Sequence, residues 1–131
     1  MNDYSVVFSV TSSGKTQTYK ATELKKNKEM FRISFPSTDD GGISYTVTLL
    51  GGEKITLSCG GGINYSFSLI KNKKSRFNID LLGSPIACEV YCTALSVSVG
   101  NGKILASGKY NLDVGGNANN FSFTLRGNYD N

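Results

Sequence analysis

The chain has 131 residues, a length that one core can serve, and its 39% hydrophobic and 11% aromatic residues are enough to pack that core and to set disorder aside. Fourteen Lys and Arg stand against ten Asp and Glu, a formal charge of +4, and histidine is absent. That absence excludes Ser-His and Cys-His nucleophile systems and removes the side chain most used for proton transfer near neutral pH.

Two prolines against fifteen glycines, with Ser, Thr and Asn frequent throughout, suit many short strands joined by tight turns and suit helices poorly. Apolar and polar residues alternate from end to end, the period-two signature of strands with one buried face. In chain order the inward sets are Tyr4/Val6/Phe8/Val10, a weaker strand from Lys15 to about Leu24, Phe31/Ile33/Phe35, Ile43/Tyr45/Val47/Leu49 and Ile55/Leu57/Cys59. Ile63/Tyr65/Phe67/Leu69, Phe77/Ile79/Leu81, Leu95/Val97/Val99, Ile104/Ala106, Tyr110/Leu112/Val114 and Phe121/Phe123/Leu125 follow. Between Ser84 and Leu95 a helix competes, with Ser84-Pro85 as N-cap and first helical residue. A strand is preferred, because Glu89, Tyr91 and Thr93 share the parity of Leu95 and Val97.

The turns test that parity, since a one-residue slip sends a whole buried face into solvent. A loop of Leu50-Gly51-Gly52 sets Leu49 opposite Glu53 and Val47 opposite Ile55; Gly60-Gly61-Gly62 sets Cys59 opposite Ile63 and Leu57 opposite Tyr65. At Asn101-Gly102 a two-residue turn with positive φ at both positions sets Val99 opposite Ile104 and Val97 opposite Ala106. The hairpins agree, so the expected fold is all-β: one domain over residues 1–131, an antiparallel meander of about ten strands. Such a meander hides its edges either as a barrel or as a two-sheet sandwich, and the barrel is preferred. The stretch from Gly41 to Leu50 also echoes that from Gly61 to Ile70 at an offset of twenty, which similar strands reusing one buried-face solution explain.

Cys59, Cys88 and Cys92 match no metal-finger spacing, and neither a metal site nor any cofactor is expected. On one strand Cys88 and Cys92 stand about 13 Å apart, too far for a disulfide. Either Cys59 approaches one of them to form a bridge, or all three are buried thiols in a reduced protein. The glycine runs at 41–42, 51–52, 60–62 and 115–116 lead into no helix carrying Lys and Ser or Thr, which sets phosphate loops aside. Asp39-Asp40 reads as turn chemistry rather than as a catalytic pair or a calcium site. Ser107-Gly108-Lys109-Tyr110 resembles part of the serine-glycine-x-x-tyrosine loop of bacterial lysozyme inhibitors, small β-barrels. It is one residue short, it falls within a strand, and the surplus of Lys and Arg opposes a basic target, so nothing of that family is carried over.

No apolar run reaches the length that spans a bilayer, and Met1-Asn2-Asp3-Tyr4 lacks the regions of a signal peptide. A soluble protein is expected. Met1 is either a natural start or a replacement for a removed leader, so the compartment stays open, with a secreted or periplasmic setting preferred.

In a meander successive turns alternate between two ends, and one end collects Lys25, Lys26, Lys28, Lys71, Lys73, Lys74, Arg76 and Lys103. The plain account of these bases is solubility; the functional one is a rim that draws an anionic partner. The expected function is therefore non-catalytic recognition of an anionic protein or glycan through this basic rim, in the manner of an inhibitor or immunity protein. Nucleic acid ranks lower because most aromatics have inward parity. Two alternatives stand beside it: a carrier whose barrel interior, lined by Tyr45, Tyr65, Phe67 and Phe123, holds a small apolar molecule, and a structural subunit of a larger assembly. The oligomeric state is open.

Overall fold

The structure, a computed structural model, describes residues 5–21, 23–26, 30–35, 44–50, 54–60, 63–81 and 83–129. Every element among them is a strand: β1 (Ser5–Ser12), β2 (Lys15–Lys20), β3 (Glu23–Lys26), β4 (Met30–Phe35), β5 (Ser44–Leu50), β6 (Lys54–Gly60), β7 (Ile63–Leu69), β8 (Lys74–Leu81), β9 (Ser84–Gly100), β10 (Lys103–Val114) and β11 (Asn117–Asn128). Tyr4, Ile43 and the Asp39-Asp40 turn lie outside the described residues, as does Lys28.

The strands form one antiparallel sheet in the order β2-β1-β11-β10-β9-β8-β7-β6-β5-β4-β3. From β3 to β11 it is the expected meander. The addition is at the N-terminus, where β1 returns to pair with β11 from Ser5↔Asn128 to Ser12↔Phe121 and carries β2 outside it. Strands consecutive in sequence therefore hold the two edges. Only two residues separate Lys20 from Glu23, so the edges meet within roughly 11 Å of chain and the sheet has to curl back on itself, giving a barrel-like half-shell.

The curl brings the two halves face to face. Phe8 on β1 meets Phe35 on β4 at 5.5 Å between ring centroids, Tyr19 on β2 meets Tyr45 on β5 at 5.0 Å, and Phe67 on β7 meets Tyr110 on β10 at 5.6 Å. Ile33, Phe35, Val47, Ile55, Leu69, Ala106 and Leu125 lose all contact with solvent. These are inward positions of the alternating pattern, and β-branched and aromatic side chains fill a pleated, half-buried surface well. No polar or charged residue is buried among the described residues.

Two registers differ from the expected ones by two residues. Leu49 faces Ile55 and Val47 faces Leu57, while Cys59 faces Tyr65 and Leu57 faces Phe67. A shift of two keeps every side chain on its face, so alternation alone does not distinguish the alternatives. The Asn101-Gly102 turn is as expected, with φ of 53° and 76° and with Val99 facing Ile104.

Along β9 the alternation breaks at one point. The segment is strand, but Cys88, Val90 and Cys92 are buried while Glu89, Tyr91 and Thr93 are not. Opposite Lys109 and Tyr110 the register jumps from Ala94 to Cys92, leaving Thr93 as the extra residue of a β-bulge. Its hydroxyl donates to the Lys109 carbonyl at 3.2 Å. The bulge switches the inward set from odd to even residues within one strand and so sends two cysteines into the core.

Two glycines allow close approach. A Cβ on Gly108 would lie 2.6 Å from Cε1 of Phe123 and 3.0 Å from the Ala94 carbonyl oxygen. On Gly127, opposite Val6 on β1, a Cβ would meet the Ser5 carbonyl oxygen and the Val6 Cα.

Candidate functional site

Because the sheet curls without β2 and β3 pairing, the space between its halves is not filled everywhere. A cavity of about 150 Å³ opens there, walled by β1, β2, β5, β6, β7, β10 and β11. Its floor is the buried set Phe8, Tyr19, Val47, Leu57, Phe67 and Tyr110. Around the mouth stand the half-exposed Val10, Tyr45, Tyr65, Leu112 and Phe121, and Gln17 adds a polar side chain; Thr46 and Ser58 border the space from positions whose side chains alternate to the outer face, where Ser58 bonds Ser66. Seven of the fourteen lining residues are aromatic, and none is Lys, Arg, Asp or Glu.

The rings order one another. Tyr65 stacks on Phe67 at 5.8 Å with 10° between planes, and Tyr110 stacks on Phe121 at 5.3 Å with 6°; Phe67 then tilts against Tyr110. Offset and tilted rings at these separations add to their area burial and hold the wall in place.

The polar groups form a small uncharged network. The Tyr19 hydroxyl donates to Oε1 of Gln17 at 2.7 Å, and Tyr45 is in hydrogen-bonding contact with Tyr19 and Tyr65. Burial pushes the phenols of Tyr45, Tyr65 and Tyr110 far above their ordinary value. The negative charge that any one of them would place beside its neighbours pushes the same way. Burial likewise raises the Cys59 thiol, against a smaller opposing contribution from its hydrogen bond to Tyr65. The site therefore offers neutral donors and acceptors and no anionic nucleophile.

All three cysteines are free and buried, so Cys59 forms no bridge with Cys88 or Cys92. Cys88 donates to the Ile86 carbonyl at 3.4 Å and Cys92 to the Ala94 carbonyl at 3.2 Å. Desolvation raises both thiols, the condition of inert core cysteines. No cluster of metal-ligating side chains occurs among the described residues.

The basic residues are spread along the rim that strand order assigns them. Lys26 lies over the rings of Phe31 and Tyr129, at 5.7 and 5.2 Å, and Tyr129 N–H donates to the Gly102 carbonyl, so Lys25 and Lys26 belong with Lys103. Lys71 bridges to Cys92, Lys74 pairs with Tyr91 and Arg76 with Glu89, whereas Lys103 faces Gly100. Cys92 and Gly100 are eight residues apart on β9, roughly 26 Å of extended strand. Register thus separates Lys71 from Lys103 along β9, while across β3 to β7 it sets Lys26 level with Leu69, two residues from Lys71. Exposed ion pairs also occupy Lys25, with Glu23 at 3.6 Å, and Lys74, with Glu89 at 3.5 Å.

Sequence reasoning named Tyr45, Tyr65 and Phe67 as interior; Phe123 lies behind the floor, against Phe8 and Tyr110. It missed Gln17 and Tyr19. Tyr19 carried one signal, a lone aromatic amid polar residues in a weak strand.

No helix among the described residues is long and apolar enough to cross a membrane. No family model matches the chain, and no curated protein matches it. Among solved structures it is similar to the crystal structure of the ywiB protein from Bacillus subtilis. The TM-score is 0.72 at 10% sequence identity, over 99% of this chain and 92% of that one, a likeness of fold.

Proposed function

We propose that the protein is a non-catalytic binding protein that holds a small, largely apolar molecule in the cavity between the two halves of its sheet. The observation that carries this reading is the aromatic, uncharged lining of a space of about 150 Å³ between the halves of the sheet. Protein interiors are close-packed, and concave apolar pockets with a few convergent polar groups are the usual form of small-ligand sites. Support for the absence of catalysis comes from the missing histidine and from a lining without a carboxylate.

Protein-observed NMR with a library of small neutral and charged compounds tests this. Binders are expected to shift the methyl signals of Val10, Val47, Leu57 and Leu112 together. A library that yields no such binder, or binders that shift only outer-face residues, would overturn it.

A second reading rests on Lys71, Lys73, Lys74 and Arg76, four exposed cations within six residues. They suit an anionic protein or glycan. Retention on a heparin matrix that weakens with salt, and weakens again when Lys71, Lys73 and Lys74 become Gln, is the expected result for that surface. Unchanged retention reduces these lysines to solubility residues.

A further inference from the structure

We infer that the cavity takes a neutral aromatic molecule bearing one hydrogen-bonding group, in the chemical class of an indole or a substituted phenol; this rests on the cavity reading above.

Size sets the first limit. An apolar cavity of this volume accommodates a benzene-sized guest, so the occupant has roughly six to ten non-hydrogen atoms. A long acyl chain does not fit. Charge sets the second. No lining residue carries a charge, and the buried phenols of Tyr45, Tyr65 and Tyr110 stay protonated through the neutral range, so a carboxylate or ammonium entering the site would lose its hydration without gaining a counter-ion.

Ring chemistry favours an aromatic over an aliphatic guest. Half of the lining residues are aromatic, and the stacked pairs Tyr65–Phe67 and Tyr110–Phe121 present ring faces and edges from different strands. A flat guest completes offset and edge-to-face contacts that an alkyl group of equal volume does not. The single polar group follows from Gln17. Its Oε1 already accepts from Tyr19, which leaves the amide N–H pair to meet an acceptor on the guest, while the Tyr45 hydroxyl, already bonded to Tyr19 and Tyr65, keeps one lone pair for a donor.

The test measures dissociation constants for indole, indole-3-carboxylate and n-octanol at pH 7, with the methyl signals of those four cavity residues as the NMR readout. Indole is expected to shift all four and to bind about tenfold or more tightly than either of the others. Leu112→Trp, which fills the mouth, is expected to weaken indole by about tenfold or more, as is Val10→Phe if the first variant folds poorly. Leu105→Thr on the outer face is expected to leave it unchanged. Octanol or the carboxylate binding as well as indole would overturn the ligand class while the cavity reading stands. If neither the three probes nor xenon under pressure shifts the methyl groups, both fall. Indole affinity that survives Leu112→Trp and Val10→Phe in folded protein would place its binding elsewhere and overturn the inference.

Discussion

Gly108→Ala isolates one packing constraint and separates two opposing effects. Gly108 has no positive φ, so its backbone accepts alanine, and replacing a strand-interior glycine would by itself gain about 0.5–1 kcal/mol from reduced freedom of the unfolded chain. Against that gain stands the new Cβ, 2.6 Å from Cε1 and 3.0 Å from Cζ of Phe123. Phe123 is 3% exposed and held by Phe8 and Tyr110, so its ring has little room to retreat. Overpacking of this kind costs about 1–3 kcal/mol, and the clash outweighs the entropic gain by about 1–2 kcal/mol. In urea titrations read by circular dichroism, the midpoint of Gly108→Ala is expected about 1 M below that of the parent at a typical slope.

The sharper test is a double-mutant cycle. Phe123→Leu removes the ring end that the Cβ meets and is itself destabilising, since it leaves a void. Adding Gly108→Ala to Phe123→Leu is then expected to be near neutral or stabilising, a coupling of about 1–3 kcal/mol. A cost for Gly108→Ala that is the same in both backgrounds would refute the packing argument and shift the blame to the Ala94 carbonyl, 3.0 Å from the same Cβ.

Other outcomes follow from the same structure. Tyr45, Tyr65 and Tyr110 have folded pKa values raised above the unfolded value, so their stabilising contribution is fully present below about pH 10 and is lost as pH rises past it. The unfolding free energy is expected to fall by about 1.4 kcal/mol per pH unit for each of them, and phenolate absorbance should show these tyrosines ionising only together with unfolding. Three phenols titrating normally in folded protein would contradict their burial. Thiol reagents are expected to label none of the three cysteines in the native state and all of them in denaturant, without prior reduction; rapid native labelling, or a Cys59 disulfide in non-reduced peptides, would contradict the fold around them. Deleting Thr93, the extra residue of the bulge, lets Ala94 follow Cys92 opposite Lys109 and Tyr110 in an unbroken register that keeps both inward sets, so this variant is expected to fold with a melting temperature close to that of Thr93→Ala, which loses one exposed hydrogen bond at a cost on the order of 1 kcal/mol. A deletion variant that fails to fold would show that the bulge does more than take up one residue between the two inward sets.

What the sequence determined by itself was local. Alternation marked nearly every strand and its inward residues, from Val6 and Phe8 to Phe123 and Leu125, because side chains on a strand alternate strictly between faces. Asn101-Gly102 specified its hairpin because its turn requires positive φ at both positions. Tertiary structure decided whatever depends on which strands meet. Parity does not see a slip of two, so the registers of β5, β6 and β7 were set by packing across the sheet. A bulge adds one residue without leaving a mark in composition, so Thr93 concealed the inward turn of Cys88, Val90 and Cys92. The pairing of β1 with β11 joins opposite ends of the chain, and it is this closure that curls the sheet. The basic residues looked like one cluster because turn order records only strand sense, and the long β9 then separates Lys71 from Lys103. The cavity lay furthest from view: its walls come from seven strands, and a void is a property of how side chains from distant segments fail to fill the space they enclose.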